Sequence, residues 1–350
     1  MTDSVRATHA PAQETAAATA TATAPLISLE GIEVVYQIRK GFFRTGQVHA
    51  LNDVSLEVAK GETVALVGES GSGKSTLGRV SLRLIAPARG RVVFDGQDIT
   101  AAPEESLGWL RRRAQIVFQD PFSSLNPYFR VYDLIEEPLI IDGVPAEERR
   151  QRVYRALEAV DLVPAPRFAS KYPTMMSGGQ RQRVGIARAL VRDPDYIVAD
   201  EPVSMIDASS RVEILNLLRT IQTERGVSFL YITHDIASAR TFADRIAVMY
   251  LGTIVEIGSA AQVIDRPLHP YTRALINAIP EPDPRNRFRH REVVPGEPPT
   301  SGAFPRGCPF FSRCPDRIPG LCDIDRPMLQ EVEPGHFVAC HRVTDNVASG

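Results

Sequence analysis

The chain has 350 residues, 43% of them hydrophobic and 23% charged, with a net charge of −2. That length suits one large α/β domain with an extension, or two modest domains. With no basic excess, nucleic acid is not expected as a partner, and no apolar run reaches the ~18 residues a membrane span needs.

The elements follow in chain order. Residues 1–25, rich in Ala and Thr, are predicted to form a disordered tail, because side chains this small bury too little surface to order a segment. They lack the basic start and bulky apolar centre of a signal peptide. From Leu26 the alternation in "LISLEGIEVVY" and "ALNDVSLEV" predicts two antiparallel strands joined by the loop "RKGFFRTGQ". "TVALVG" is a short apolar run ending in glycine, suited to a buried parallel strand. "GRVVFDGQDI" predicts a hairpin turning at Asp95-Gly96. Residues 130–176 read as helical, with no clear strand. "YIVAD" and "SFLYITHD" are again buried strands. Between them a helix presents Ile214, Leu217, Leu218 and Ile221 on one face and stops at Gly226. "RIAVMYLGTIVEIG" predicts a closing hairpin. Beyond Asp265 proline and arginine become frequent and apolar periodicity fades, which marks an extension over 266–350.

Chemistry enters with "VALVGESGSGKSTLGRV". It carries Gly68-x-x-x-x-Gly73-Lys74-Ser75, a P-loop in its strand–loop–helix context. Gly68, Ser70, Gly71 and Gly73 let backbone N–H groups surround phosphate oxygens, and the helix that begins there adds its positive end. Lys74 is expected to reach the outer phosphates, with Ser75 and Thr76 beside it and the Ser75 hydroxyl on Mg²⁺. Asp200 ends the strand "YIVAD", where it can hold Mg²⁺, and Glu201 follows, where a carboxylate can polarise an attacking water. Gln119 in "VFQDP" comes just after a strand, where it can reach the Mg²⁺ and the water, and His234 in "ITHD" comes just after another. In "MSGGQRQRVGIARAL", Ser177, Gly178 and Gly179 form an anion-binding turn opening a helix whose Val184, Ala187 and Val191 face a core.

In that order these stretches resemble the ATP-binding subunit of ABC transporters across residues 26–265. The resemblance implies a P-loop NTPase fold: a RecA-like core, an antiparallel β subdomain, and a helical signature subdomain at about 121–178. It makes Ser177, Gly178, Gly179 and Gln180 the signature motif, which binds the γ-phosphate of ATP held on a second subunit's P-loop. Gln119 becomes the Q-loop residue, Glu201 the catalytic glutamate, Asp200 the Walker B aspartate, His234 the switch histidine and Asp207 the D-loop aspartate. Tyr36 falls where an aromatic ring stacks on adenine. Met176 replaces the usual leucine before the signature, and Met205-Ile206 replaces alanine-leucine in the D-loop. No catalytic position is degenerate, which favours ATP hydrolysis with ATP and Mg²⁺. The phosphate cradle and the signature turn cannot serve one nucleotide within one chain, so a dimer is expected.

"FQDPFSSLNP", the tail "RPLHPYTRALINAIPEPDP" with His269 to Thr272, and "PGEPP" at 295–299 narrow the likeness. They are similar to importers of oligopeptides and dipeptides, and the insert "RKGFFRTGQVHALNDVSLEV" to the second of that group's two ATPase types. The resemblance therefore implies a heterodimer with a second ATPase, two membrane-spanning permeases and an extracytoplasmic binding protein, with this chain on the cytoplasmic face of the membrane. Related importers carry nickel complexes or oligosaccharides; a soluble, non-transport ABC ATPase is the remoter alternative. Phe122, Leu125 and Tyr128 are expected to offer an apolar contact to the permeases.

All four cysteines, Cys308, Cys314, Cys322 and Cys340, lie near the C-terminal end. A cytosolic chain is not expected to hold stable disulfides, and four thiolates are the number that completes a metal site. Close Cys-x-x-Cys pairs are lacking, which argues against zinc, whereas Pro309 and Pro315 follow two of the cysteines, as prolines do beside iron–sulfur ligands. The segment resembles the tail of oligopeptide-importer ATPases, some of which hold a [4Fe–4S] cluster; the expectation is such a cluster on these four residues, with zinc second.

Overall fold

The computed structural model describes residues 24–39, 45–278 and 304–343. The N-terminal tail before residue 24, loop residues 40–44 and the "PGEPP" stretch lie outside them. The strands are β1 (Ile27–Arg39), β2 (Thr45–Val58), β3 (Thr63–Val67), β4 (Arg89–Phe94), β5 (Gln97–Asp98) and β6 (Ala114–Val117), then β7 (Tyr196–Asp200), β8 (Ser228–Thr233), β9 (Arg245–Tyr250), β10 (Thr253–Ser259), β11 (Gln330–Glu333) and β12 (His336–Val338). The α-helices are α1 (Lys74–Ser81), α2 (Gly108–Arg113), α3 (Pro121–Ser124), α4 (Val131–Ile141), α5 (Ala146–Glu158) and α6 (Ala165–Ala169), then α7 (Gly178–Leu190), α8 (Ala208–Arg225), α9 (Ile236–Phe242), α10 (Ala260–Asp265) and α11 (Pro270–Asn277).

A four-stranded antiparallel sheet, ordered β2-β1-β4-β5, packs beside an eight-stranded sheet ordered β11-β12-β10-β9-β3-β8-β7-β6. In the second sheet β9, β3, β8, β7 and β6 run parallel. Every residue of β3 is buried, because each face of the strand meets a separate core. Ala65 and Val67 join one core with the helices α4, α5, α7 and α8, while Val64 and Leu66 join the other with α1 and the antiparallel sheet. Burial on both faces is why these strands read as unbroken apolar runs rather than alternating ones.

The hairpins turn where expected. Phe94 pairs Gln97 across Asp95-Gly96, and Tyr250 pairs Thr253 across Leu251-Gly252; all four turn residues have positive φ, as two-residue type I′ turns require. Helix α8 begins on Asp207 and ends on Gly226 at φ 66. Residues 130–176 contain helices and no strand.

The extension holds a feature that periodicity missed. Beyond Asp265, β12 pairs antiparallel with β10, Glu256 opposite Val338 and Ile257 opposite Phe337, and β11 pairs with β12. The C-terminal residues thus lengthen the cassette's own sheet by two strands. The sequence "QEVEPGHFV" alternates too weakly to announce this. Its pairing is held by a buried cluster in which the Glu256 carboxylate accepts from the N–H groups of Leu268 and His269 and from Nε2 of His336.

Candidate functional site

Four parallel strands that are neighbours in the sheet, in the order β3-β8-β7-β6, each release a loop at their C-terminal end. Such an edge is where open α/β sheets bind ligands. From β3 comes the phosphate loop. Gly68 has φ 157, and a Cβ there would meet the Met249 carbonyl oxygen at 2.1 Å; at Gly73, φ 101, it would meet the Ala50 carbonyl oxygen at 2.5 Å. Only glycine fits either position. Ser70 and Gly71 are exposed at the loop tip, and Ser75 and Thr76 are half-buried in the first turn of α1.

Lys74 folds back over the loop. Its Nζ donates to the carbonyls of Gly68 and Glu69 at 2.8 Å and to Ser72 Oγ at 3.4 Å. Burial lowers its affinity for a proton, against the opposing pull of Glu201, Asp200 and Glu69. The Ser75 hydroxyl donates to Asp200 Oδ1 at 2.9 Å. Asp200 is 6% exposed, and burial pushes its carboxyl above the usual range although Ser75 and Arg79 oppose this. A cation set between Ser75 and Asp200 would relieve that cost, so these residues fit Mg²⁺.

Glu201, at the end of β7, stands between the other two loops. Its Oε2 accepts from Gln119 Nε2 at 2.9 Å, and its Oε1 lies 3.2 Å from His234 Nδ1. Its φ is 45, left-handed for a residue with a side chain, while its N–H is tied to the Ile232 carbonyl on β8. Strained backbone that the surroundings hold in place is common where a side chain must be aimed. The structure thus brings together Lys74, Ser75, Asp200, Glu201, Gln119 and His234.

It does not bring the signature turn to them. Ser177 caps α7 in a reciprocal box with Gln180, and Gly178 and Gly179 lie against Met205, Ile206 and Ser210 at the start of α8. Among the described residues no hydrogen bond joins 177–180 to 68–76. Asp207 caps α8, accepting from the N–H of Ser210 and the hydroxyls of Ser209 and Ser210. The Ser209 hydroxyl foremost holds this carboxyl well below its ordinary range. Tyr36 sits on β1 opposite Val48, 38% exposed.

The contact loop needs a correction. Phe122 and Tyr128 are exposed, at 52% and 87%, but Leu125 is 2% exposed and packs in the core. Beside it opens a groove of about 300 Å³, of mixed polar and apolar lining, between the edge strand β6 and helices α4 and α7. Phe118, Ile141, Gln182 and Arg188 help line it.

The cysteines Cys308, Cys314, Cys322 and Cys340 line one cavity together, with His269 and His341. None is in a disulfide. The cavity holds about 10 Å³, room for one water-sized body. Burial pushes the Cys308 thiol up to about 12 and Cys314 to about 11, with the other thiols adding to it. A tetrathiol donor set therefore converges, yet among the described residues no group of three or more His, Cys, Asp or Glu is disposed to hold a metal ion.

Sequence reading also missed two residues that touch the phosphate loop from outside. Arg313 donates from both terminal nitrogens to the Glu69 carboxylate, at 2.9 and 3.1 Å, and the Tyr271 hydroxyl accepts from the Glu69 N–H at 2.9 Å. His269 orients this tyrosine's helix by accepting from the Tyr271 N–H through Nδ1; burial lowers the histidine to about 4, so it stays neutral. "HPYT" was a signal for Tyr271, whereas nothing local pointed to Arg313.

Comparison with known proteins agrees with this geometry. Residues 51–204 match the ABC transporter family model, and 255–322 match the C-terminal region of oligopeptide/dipeptide transporters. The chain is 46% identical to a putative peptide import ATP-binding protein of Brucella ovis, over 92% of this chain and 99% of that one. It is 43% identical to an oligopeptide transport ATP-binding protein of Bacillus subtilis, over 90% of this chain and 97% of that one. Among solved structures it resembles the dimeric ATP-binding cassette MJ0796 bound to ADP and Pi, at TM-score 0.60 and 33% identity, covering 67% of this chain and 98% of that one. It also resembles cbiO1 of Clostridium perfringens, part of the transporter complex cbiONQ, at TM-score 0.61 and 30% identity, covering 69% of this chain and 91% of that one.

Proposed function

The chain belongs to the ATP-binding subunits of ABC transporters and is an ATPase of that family, and from that premise we propose that it powers the import of short peptides through separate membrane subunits. The observation that carries the reading is Glu201, strained at the end of β7 and bracketed by Gln119 and His234. Among the described residues its carboxylate meets no backbone donor, only the side chains of the two neighbouring loops. When bound, Mg²⁺ would neutralise charge on the phosphates. Ser75 and Asp200 would hold it, the loop N–H groups of 70–76 and Lys74 would fix the phosphates, Tyr36 would stack on adenine, and Glu201 would take the proton of the attacking water with Gln119 and His234 keeping it in line.

The separation of the signature turn from the phosphate loop supports a two-chain site. Ser177, Gly178, Gly179 and Gln180 offer their helix start to the nucleotide of a second ATPase, and Asp207 braces the same edge. The partner is a different ATPase of the same family, and the assembly includes two permeases and an extracytoplasmic peptide-binding protein. The groove between Phe118, Ile141 and Arg188 is where a permease element seats, and the exposed Phe122 and Tyr128 offer it further apolar contact. In this division residues 26–265 are the cassette and 266–350 an accessory extension. Co-expressed with its permeases and reconstituted in vesicles, the complex should take up di- or oligopeptides only with ATP. Uptake of nickel chelates or oligosaccharides instead would overturn the substrate class.

For the four cysteines the reading is a [4Fe–4S] cluster, with zinc the second choice. Convergence of four thiols supports it, and loading would have to move them, since the cavity as it stands is water-sized. Anaerobic purification should yield about four irons and four acid-labile sulfides per chain. One zinc, or four free thiols, would sink it.

A further inference from the structure

Glu69 is the first residue of the phosphate loop after Gly68, and every polar group it has is engaged. Its N–H goes to Tyr271 Oη and its carbonyl accepts Lys74 Nζ. Its carboxylate takes both terminal nitrogens of Arg313, 244 residues away. Two of those three partners come from beyond Asp265. Arg313 is itself fixed: its side chain is 7% exposed, and its guanidinium lies 5.8 Å from the centre of the Tyr250 ring. Tyr250 in turn packs with Tyr271 and Phe310, the three ring centres 4.7 to 5.4 Å apart in edge-on and tilted contacts. The turn that carries it is built by the cysteine segment. Cys308 donates its N–H to the Cys322 carbonyl, Phe311 bonds back to Cys308, and Arg313 to Phe310. Cys314 follows directly.

A phosphate loop rich in glycine has few side chains by which to be held. A bidentate guanidinium–carboxylate bond, with its guanidinium buried and its carboxylate partly so, is the strongest kind of tie available to it. We propose that Arg313 is a positioning residue for nucleotide binding, holding the entry of the phosphate loop through Glu69, so that the thiol-lined turn of the extension is mechanically coupled to the ATP site. Arg313 touches no phosphate; it acts on the loop that does. The proposal rests on the ATP-binding reading of residues 68–76.

The test uses the full-length chain, titrated with a fluorescent ATP analogue and Mg²⁺, and the assembled transporter for steady-state rates. Arg313→Gln should weaken analogue binding and raise KM for ATP by about 3- to 10-fold, with kcat within about twofold, a cost of ~0.7–1.4 kcal/mol in binding. Glu69→Gln should do the same, and the double variant no more than either alone, because one interaction is removed twice. Should Arg313→Gln fail to fold, Glu69→Gln tests the tie from the loop side. The control is Arg273→Gln, which breaks a different tie of the extension, the 2.7 Å ion pair with Asp316, and should leave ATP affinity unchanged. Unaltered affinity in Arg313→Gln, additive effects in the double variant, or an equal loss in Arg273→Gln would each overturn the proposal. A wild-type chain that does not bind the analogue overturns the ATP reading itself.

Discussion

Two carboxylates on well-separated strands of the large sheet are both buried and treated in opposite ways. Glu256, 0% exposed on β10, is saturated by two backbone N–H groups and His336. Asp200, 6% exposed on β7, accepts from a single hydroxyl, and its neighbour Glu201 meets only the side chains of Gln119 and His234. A buried charge must be compensated. Where the fold supplies every partner, the charge is a rivet; where it withholds them, it has kept room for a ligand. Burial alone does not distinguish structure from function here, but the tally of donors does.

Three substitutions sharpen that contrast. The largest effect is expected for Glu201→Gln, which keeps the shape and the contacts of the side chain but removes the base. ATP hydrolysis in the assembled transporter should fall by about 10²- to 10⁴-fold, while ATP binding and chain stability stay unchanged. A wild-type rate would mean that the proton goes elsewhere.

Next is Glu256→Ala, where the roles reverse. Three donors lose their acceptor at once, and denaturant unfolding should show a loss of about 2–3 kcal/mol, with the 330–338 hairpin becoming the first segment cut by protease. ATP affinity per folded chain should suffer less than stability does. If stability is unmoved, the rivet is not one.

The smallest effect is expected for Asp200→Asn, and it has the opposite sign. Burial raises the Asp200 carboxyl, so the native chain holds that proton more tightly than the unfolded chain does. Ionisation then costs stability, a cost that appears as pH rises through the folded value and is absent below the unfolded one. At pH 7.5 without Mg²⁺ the Asn variant should melt about 1–3 °C higher than wild type, a gap that closes as pH falls from the folded carboxyl's value toward the unfolded one. Mg²⁺ with ATP should reverse the order, since only the aspartate can then bind the cation. A variant less stable than wild type in the absence of nucleotide would show that Asp200 is structural after all.

The nucleotide edge was legible because each of its parts is local. "GESGSGKS", "VADE", "FQD" and "ITHD" each sit at or directly after the end of a strand, so strand character and polar terminus are written in one short stretch. Leu125 was misplaced for the converse reason: in "FSSLNP" an apolar side chain can face a partner or its own core, and neighbours in sequence do not say which. The β11–β12 hairpin was invisible because its strands are only four and three residues long and the first is mostly polar. Its stability comes from β10 and from Glu256, some 80 residues earlier.

By itself, then, the amino-acid sequence determined the kinds of chemistry present and the strand ends that carry them, since backbone propensity, glycine sterics and apolar runs act over a few residues. Tertiary structure alone decided that β3, β8, β7 and β6 lie side by side, so that Gln119 and His234 meet on Glu201. It alone decided that four cysteines spread over 308–340 face one cavity and that Arg313 reaches Glu69. Those contacts are chosen by packing between distant segments, where many pairings are sterically open and only the assembled core selects one.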